Sequence, residues 1–376
     1  MRLLFVSHSL PPEGRGMDNL GGMQRVAVDL HDTLSTHRDA EVRALVLRSS
    51  WSARGYRTPL FLARALRDIR ALARAGQIDA ILFSSMLTAT LVVPLRRLLK
   101  RTGIVSAAIV NGLDATTPTW PYPLLVRRTF AALDLVMPIS RATGEACVAR
   151  GLDPKKCKVV SLGIRADRFV TVADRAEARA KLDLPTANPR LILCSVGRLV
   201  PRKGVAWFIE SVMPNLPEDV VYLVAGEGPD RARIEAAIAR HRLGSRVKLL
   251  GTISDAELQT LYNGADLFLM PNVPVANDME GFGLVMLEAG LCGLPTIASN
   301  LEGIADVISE GGNGHLVPPM NAGQFRTVIE RYYSNPSLLL SASASAREYT
   351  TRRFGWARVV DEYILQLRHL LAARRN

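Results

Sequence analysis

Glu280 and Glu288, eight positions apart within EGFGLVMLE, are two carboxylates placed to grip one extended ligand. Between them Gly281 and Gly283 leave the backbone bare where a helix is due to begin. Open N–H groups and the positive end of the helix dipole there make a cradle for an anion such as a diphosphate. Carboxylates accept hydrogen bonds from paired hydroxyls, and a nucleotide sugar carries hydroxyl-rich rings on both sides of its diphosphate. A second set, Gly197, Arg198, Arg202, Lys203 and Gly204 in GRLVPRKG, places cations beside a glycine. A third, Gly21 and Gly22, follows the prolines Pro11 and Pro12. Each set alone has an ordinary explanation, as a glycine-started helix or a solvated loop. Their co-occurrence is what carries weight.

These residues need strands to aim them. The apolar run Leu267 to Met270 ends at Pro271 just before the glutamates, and Leu284, Leu287 and Leu291 then recur at helical spacing, giving the order strand, loop, helix. Leu191 to Val196 precedes Gly197 in the same way, so the cations sit past the carboxyl end of a strand, where open α/β sheets bind ligands. Further apolar runs fall at Leu3–Val6, Val42–Leu47, Ala80–Phe83, Ile104–Val110, Leu135–Ile139 and Val159–Leu162 in the first half. The second half adds Val220–Ala225, Val247–Leu250, Pro295–Ala298 and Gly314–Val317. Alternation of strands and helices on this scale predicts an α/β protein of two doubly wound, Rossmann-like parallel sheets. Residues 1–172 are expected as a basic N-terminal, acceptor-side domain, and 173–189 as a linker, since that stretch is charged, alanine-rich and bounded by Pro185 and Pro189. Residues 190–355 are expected as the nucleotide-sugar domain, with 356–376 as a closing helix.

Glutamates separated by seven residues around GFG, a GR-x4-KG and an N-terminal double glycine together resemble the retaining glycosyltransferases of family 4, which have the GT-B fold. The resemblance spans nearly the whole chain. It implies two domains facing a cleft, the closing helix packing back on the first of them, and a nucleotide diphosphate sugar, of UDP or GDP type, as donor. It further implies that Glu288 binds the ribose hydroxyls and that Glu280 contacts the transferred sugar beside the reacting carbon. Retention is usually explained by attack from the face of the departing diphosphate, so no protein nucleophile is required. The sequence holds no Asp-x-Asp. Charge building on the leaving group must then be met by fixed cations and N–H groups. Arg198 and Lys203 are assigned to the phosphates, aided by Gly21, Gly22, Gly197 and the N–H groups of Phe282, Gly283 and Leu284, and no metal or other cofactor is expected.

One departure from the family stands out. Where it commonly has His-Gly near the donor sugar, this chain has Asn111-Gly112. Asn111 donates and accepts hydrogen bonds but carries no proton at neutral pH. Either the usual histidine acts by hydrogen bonding, which Asn111 preserves, or the donor differs, or activity is low. Asp114 is expected to cap a turn or to position the acceptor. His8, at the end of the first strand, is a further candidate beside the site.

At 376 residues, 48% hydrophobic and 22% charged, the chain has the composition of an ordinary globular protein of two domains. The opening MRLLFVSHSLPPEG breaks at two prolines and reads as a first strand rather than a secretory signal. The uncharged stretch Ala80 to Leu95 is too short and too polar for a membrane span. Cys147, Cys157, Cys194 and Cys292 form no C-x-x-C pair and read as core residues of a reduced cytoplasmic protein. The net charge of +12 is confined to the first half, where 25 Lys or Arg face 13 Asp or Glu before residue 173. Arg64, Arg67, Arg70 and Arg74 recur on one side of a helix with Leu60, Leu66, Ile69 and Leu72 on the other, and Arg96 and Arg97 follow. These are either solvated faces or a surface for anionic lipid at the inner face of the plasma membrane. Nucleic acid is not expected, because aromatics are only 6% of the chain and no binding module is present.

The leading expectation is therefore transfer of a sugar to a lipid-linked or saccharide acceptor in cell-envelope or polysaccharide assembly. Two other classes compete with it. A nucleotide-sugar epimerase of the same fold would convert donor without acceptor, and a non-catalytic basic nucleotide- or membrane-binding protein would convert nothing. A nicotinamide enzyme is disfavoured, since Gly226-Glu227-Gly228-Pro229 lacks the third glycine of a dinucleotide fingerprint.

Overall fold

The computed structural model describes residues 1–12, 22–49, 54–112, 114, 117, 120–169, 175–186 and 188–375. The chain divides into two compact units, Met1–Gly163 with Phe354–Asn376, and Ile164–Arg353. Both are built on parallel sheets.

In the first unit β1 (Arg2–Leu10), β2 (Glu41–Arg48), β3 (Ala80–Phe83), β4 (Val105–Val110) and β5 (Leu135–Pro138) lie in the order β2-β1-β3-β4-β5. Every residue of β3, β4 and β5 is buried, which is why these strands read as unbroken apolar runs: helices cover both faces of a parallel sheet. The edge strand β2 instead exposes Glu41 and Arg43. The apolar run Val159–Leu162 forms no strand. Lys158 and Val160 donate their N–H groups to Val136 and Pro138 carbonyls of β5, so this segment borders the sheet without joining it. The C-terminal helix Trp356–Arg375 belongs to this unit: Val360, Tyr363 and Leu367 are buried, His37 Nε2 lies 2.9 Å from Asp361 Oδ1, and the Trp356 ring fills the space beside Gly163.

In the second unit β6 (Leu191–Val196), β7 (Val220–Ala225), β8 (Val247–Gly251), β9 (Leu267–Met270), β10 (Thr296–Ser299) and β11 (Gly314–Val317) lie in the order β11-β10-β9-β6-β7-β8. Among the described residues, every strand pairing in both sheets is parallel. Strand order reverses between β1 and β3 in one sheet and between β6 and β9 in the other. The loops leaving those strands diverge and open a crevice at each carboxyl edge.

The division falls at Gly163/Ile164, ahead of the linker expected at 173–189. The charged, alanine-rich composition that suggested a tether has a different cause. Arg175–Ala180 is a helix docked on the second unit, where Arg175 and Arg179 both pair with the buried carboxylate of Asp266, and Arg179 Nε also donates to the Gly264 carbonyl at 3.1 Å. Arg64, Arg67, Arg70 and Arg74 are exposed on the helix Arg54–Arg74, as are Arg96 and Arg97 on Val92–Thr102. Ile69 is buried, but Leu60, expected on the covered side, is 55% exposed. Among the described residues no helix is long and apolar enough to cross a membrane.

Candidate functional site

The carboxyl ends of β6 and β9 meet in a shallow, open recess. Gly197, Arg198 and Lys203 line it from the β6 side, and Met270, Pro271 and Asn272 from the β9 side. After β6 the chain makes the short turn Pro201–Lys203 and enters the helix Val205–Ser211 through Gly204. A side chain at Gly204 would put its Cβ 1.9 Å from the Pro271 carbonyl oxygen, and φ there is +66°, so only glycine lets the two loops close up. The Val273 N–H donates to the Arg202 carbonyl at 2.9 Å and ties them.

That closeness assembles the charges. Lys203 Nζ lies 2.6 Å from Glu280 Oε2, Arg202 Nη1 3.2 Å and Asn272 Nδ2 3.4 Å from the same oxygen. Arg202 Nε also donates to Asp278 Oδ1 at 2.9 Å. Burial disfavours the Glu280 carboxylate, but Lys203 and Arg202 outweigh it and hold its pKa below the usual range. Burial likewise depresses the Lys203 ammonium, against the pull of Glu280. Arg198 is exposed and makes no hydrogen bond or ion pair with the described residues.

Past Glu280 and Gly281, Phe282 is buried and Gly283, at φ +87°, starts the helix Leu284–Leu291, which no side chain caps. One turn on, Glu288 Oε2 accepts the phenol O–H of Tyr262 at 3.1 Å. Tyr262 is fully buried, with its ring edge-on to Phe169 and Phe268 at 6.0 Å each. Two carboxylates therefore flank one uncapped helix start, with a lysine and two arginines on the neighbouring loop.

The first unit gathers a different set. His8 Nδ1, on β1, lies 3.3 Å from the hydroxyl of Ser85, which caps the turn after β3. After β4, Asp114 Oδ2 accepts from the Asn111 N–H and from Asn111 Nδ2, both at 3.2 Å, and from the Met86 N–H at 3.5 Å. Burial raises the Asp114 pKa against those donors. The Asn111 amide is thereby oriented, its NH2 turned to Asp114 and its oxygen buried without a described partner. Gly22 opens the helix Gly22–Ser35 and is exposed, while Gly21 lies outside the described residues.

Sequence reading missed several members of these sets. Arg202 stood inside a quoted motif, yet only the fold shows it bridging two acids. Asn272 and Asp278 had no spacing to mark them. Tyr262, on the helix Asp255–Gly264, lies 26 positions before Glu288 on Leu284–Leu291, and only the fold brings the two together. Among the described residues, no three His, Cys, Asp or Glu side chains gather to hold a metal ion.

A doubly wound parallel sheet with cations and an uncapped helix start at its switch point is the arrangement with which α/β proteins commonly bind phosphate. Comparison narrows the class. The family model "Glycosyltransferase Family 4" matches residues 20–168 and "Glycosyl transferases group 1" matches 174–350, and the chain belongs to glycosyltransferase family 4. The D-inositol 3-phosphate glycosyltransferase of Streptomyces bingchenggensis (strain BCW-1) is 32% identical over 55% of this chain and 46% of its own. The amylovoran biosynthesis glycosyltransferase AmsK of Erwinia amylovora is 29% identical over 60% and 54%. The chain thus spans about half the length of these curated relatives. Among solved structures, Anabaena Alr3699/HepE in complex with UDP superposes with a TM-score of 0.72 at 19% identity, over 98% of this chain and 100% of that one. Sucrose-phosphate synthase from Thermosynechococcus elongatus superposes at 0.73 and 22%, over 99% of both. The fold is that of GT-B glycosyltransferases: the strand pattern predicted the two parallel sheets, and the family resemblance implied the GT-B architecture.

Proposed function

We propose that this chain is a retaining, metal-independent glycosyltransferase that moves a sugar from a nucleotide diphosphate sugar to a saccharide or lipid-linked acceptor in envelope or polysaccharide assembly. The observation that carries the reading is the Lys203–Glu280 pair beside an uncapped helix start, at the strand-order reversal of the second sheet. Lys203 and Arg198 neutralise the diphosphate as its bond to the anomeric carbon breaks. The acceptor oxygen attacks that carbon from the same face, and its proton passes to a diphosphate oxygen. Glu280 holds hydroxyls of the sugar in transit, Glu288 those of the ribose, and Asn111 offers its amide oxygen in the first unit. UDP is favoured as the nucleotide because HepE was solved with it, and polymer assembly because one relative is named for amylovoran biosynthesis.

A thermal-shift panel of UDP, GDP, ADP and dTDP, followed by transfer assays with the matching sugars with and without EDTA, tests this. A nucleoside diphosphate at 100 times its Kd adds about 2.7 kcal/mol, a shift of several degrees. No shift with any of the four overturns the reading, activity lost with EDTA overturns its metal independence, and donor turnover without acceptor reassigns the protein to the epimerases.

Attachment to the inner face of the plasma membrane is a separate part of the proposal. Tyr56 (71% exposed) and Leu60 stand one turn apart on Arg54–Arg74, beside Arg57, Arg64, Arg67 and Arg70. Such a face suits anionic lipid at about 1 kcal/mol per cation. Equal pelleting with anionic and neutral vesicles sinks it.

A further inference from the structure

Glu302 is one of four non-glycine residues with left-handed backbone among those described, at φ +50°. That conformation is disfavoured for any residue with a Cβ and persists where surroundings over-determine it. What surrounds Glu302 is the Glu280 loop. Glu302 Oε2 accepts the Glu280 N–H at 2.5 Å, and the next residue, Gly303, donates its own N–H to the Glu280 carbonyl at 3.1 Å. Both polar main-chain atoms of Glu280 are therefore held by two consecutive residues of the loop after β10. The approach is close: a Cβ on Gly303 would lie 2.0 Å from the Gly281 carbonyl oxygen. Lys203, Arg202 and Asn272 converge on the side chain of Glu280, whereas 302–303 fix the backbone from which it projects.

We propose that Glu302 is a positioning residue, whose carboxylate, presented by a left-handed backbone, clamps the Glu280 main chain so that the Glu280 side chain meets the transferred sugar. The inference rests on the glycosyltransferase reading of this site and deepens it. Glu302 touches no substrate. Its role is to fix one end of the donor subsite, the sugar end, while the diphosphate is held by the β6 loop. The requirement is for an acceptor oxygen at that point rather than for negative charge, because the partner is a neutral N–H.

The test uses the full chain with Glu302→Gln, Glu302→Ala and Glu302→Gly. Four quantities are read: Tm, Kd for UDP and GDP alone, Kd for UDP-glucose and GDP-mannose, and kcat with KM for transfer. Glu302→Gln keeps the acceptor oxygen and should stay within about twofold of wild type. Glu302→Ala and Glu302→Gly should lose roughly 10- to 100-fold in kcat, the cost of a misplaced contact group. Their affinity for the bare nucleoside diphosphate should hold, and the extra affinity conferred by the sugar should shrink. Glycine also relieves the left-handed backbone, so its Tm should equal or exceed that of alanine while kcat stays low, a split that a purely structural role would not give. Wild-type kcat in both variants overturns the proposal, as does a loss in Glu302→Gln equal to that in Glu302→Ala. If wild type binds neither nucleoside diphosphate, the glycosyltransferase reading fails and this inference falls with it.

Discussion

At the β6/β9 crevice the Glu280 carboxylate is met by an ammonium, a guanidinium and an amide, and its pKa is held down. Near the β1/β3 crevice the Asp114 carboxylate is met by two backbone N–H groups and one amide, all neutral, and its pKa is pushed up. Both crevices arise from the same topological event, a reversal of strand order, yet they are furnished for different work. The second unit pairs Lys203 and Arg202 with carboxylates and leaves Arg198 exposed, and under the proposed function an incoming diphosphate would take over a share of Lys203. The first offers hydroxyls, an imidazole and an oriented amide, neutral groups that, under the proposed function, would hydrogen-bond a hydroxyl-bearing ligand without attracting charge. The division fits a donor side and an acceptor side, and each side can be broken separately.

The largest effect is expected at Lys203. Lys203→Ala should cut transfer by roughly 10²–10³-fold, the usual cost of removing one group that meets developing charge. It also strands the buried Glu280, so Tm should fall. Lys203→Met with Glu280→Gln should recover Tm but not transfer. If the double variant transfers sugar at the wild-type rate, the charged half of the comparison is wrong. Asp114→Asn should cost less, about tenfold, and leave nucleoside diphosphate affinity intact, because a neutral amide retains an acceptor oxygen for the same donors.

The two carboxylates should also differ in the sign of their pH dependence. Glu280, with its folded pKa lowered, contributes stability that is present above the unfolded value and is lost as pH falls through the folded one. Asp114, with its folded pKa raised, does the reverse, so its contribution falls as pH rises from the unfolded value through the folded one. Denaturant titrations from pH 3 to 8 should show that Glu280→Gln removes a loss of stability on acidification. Asp114→Asn should remove a loss on alkalinisation. Parallel curves for both variants would erase the distinction between the crevices.

The strands were legible because a parallel sheet buried on both faces demands unbroken apolar runs, as in LFLM of β9 and AILF of β3. The same rule misled at Val159–Leu162, which is apolar because it covers the edge of β5 rather than because it pairs throughout its length. The position of the chemistry along the chain was legible too, since glycine and charge must coincide where loops leave strands. Partnership was not. Lys203 and Glu280 stand 77 residues apart and meet because β6 and β9 are neighbours, an adjacency that no local periodicity encodes. The backbone strain at Glu302 left no trace at all, because a glutamate gives no hint of a positive φ.

The smallest effect expected is also the most selective. Tyr262 is buried to the ring edge, and its O–H reaches one oxygen of Glu288, so it aims that carboxylate without approaching solvent. Tyr262→Phe keeps both edge-on ring contacts and removes a single hydrogen bond, worth about 1.5–3 kcal/mol when one partner is charged. Tm should shift by only a few degrees. If Glu288 reads the ribose, the preference for UDP over 2′-deoxy-UDP should shrink several-fold in this variant, while affinity for inorganic diphosphate, which has no ribose, stays unchanged. A preference that survives intact would mean that the ribose is read elsewhere. Equal losses for all three ligands would mean that Tyr262 supports the second unit as a whole rather than its nucleotide end.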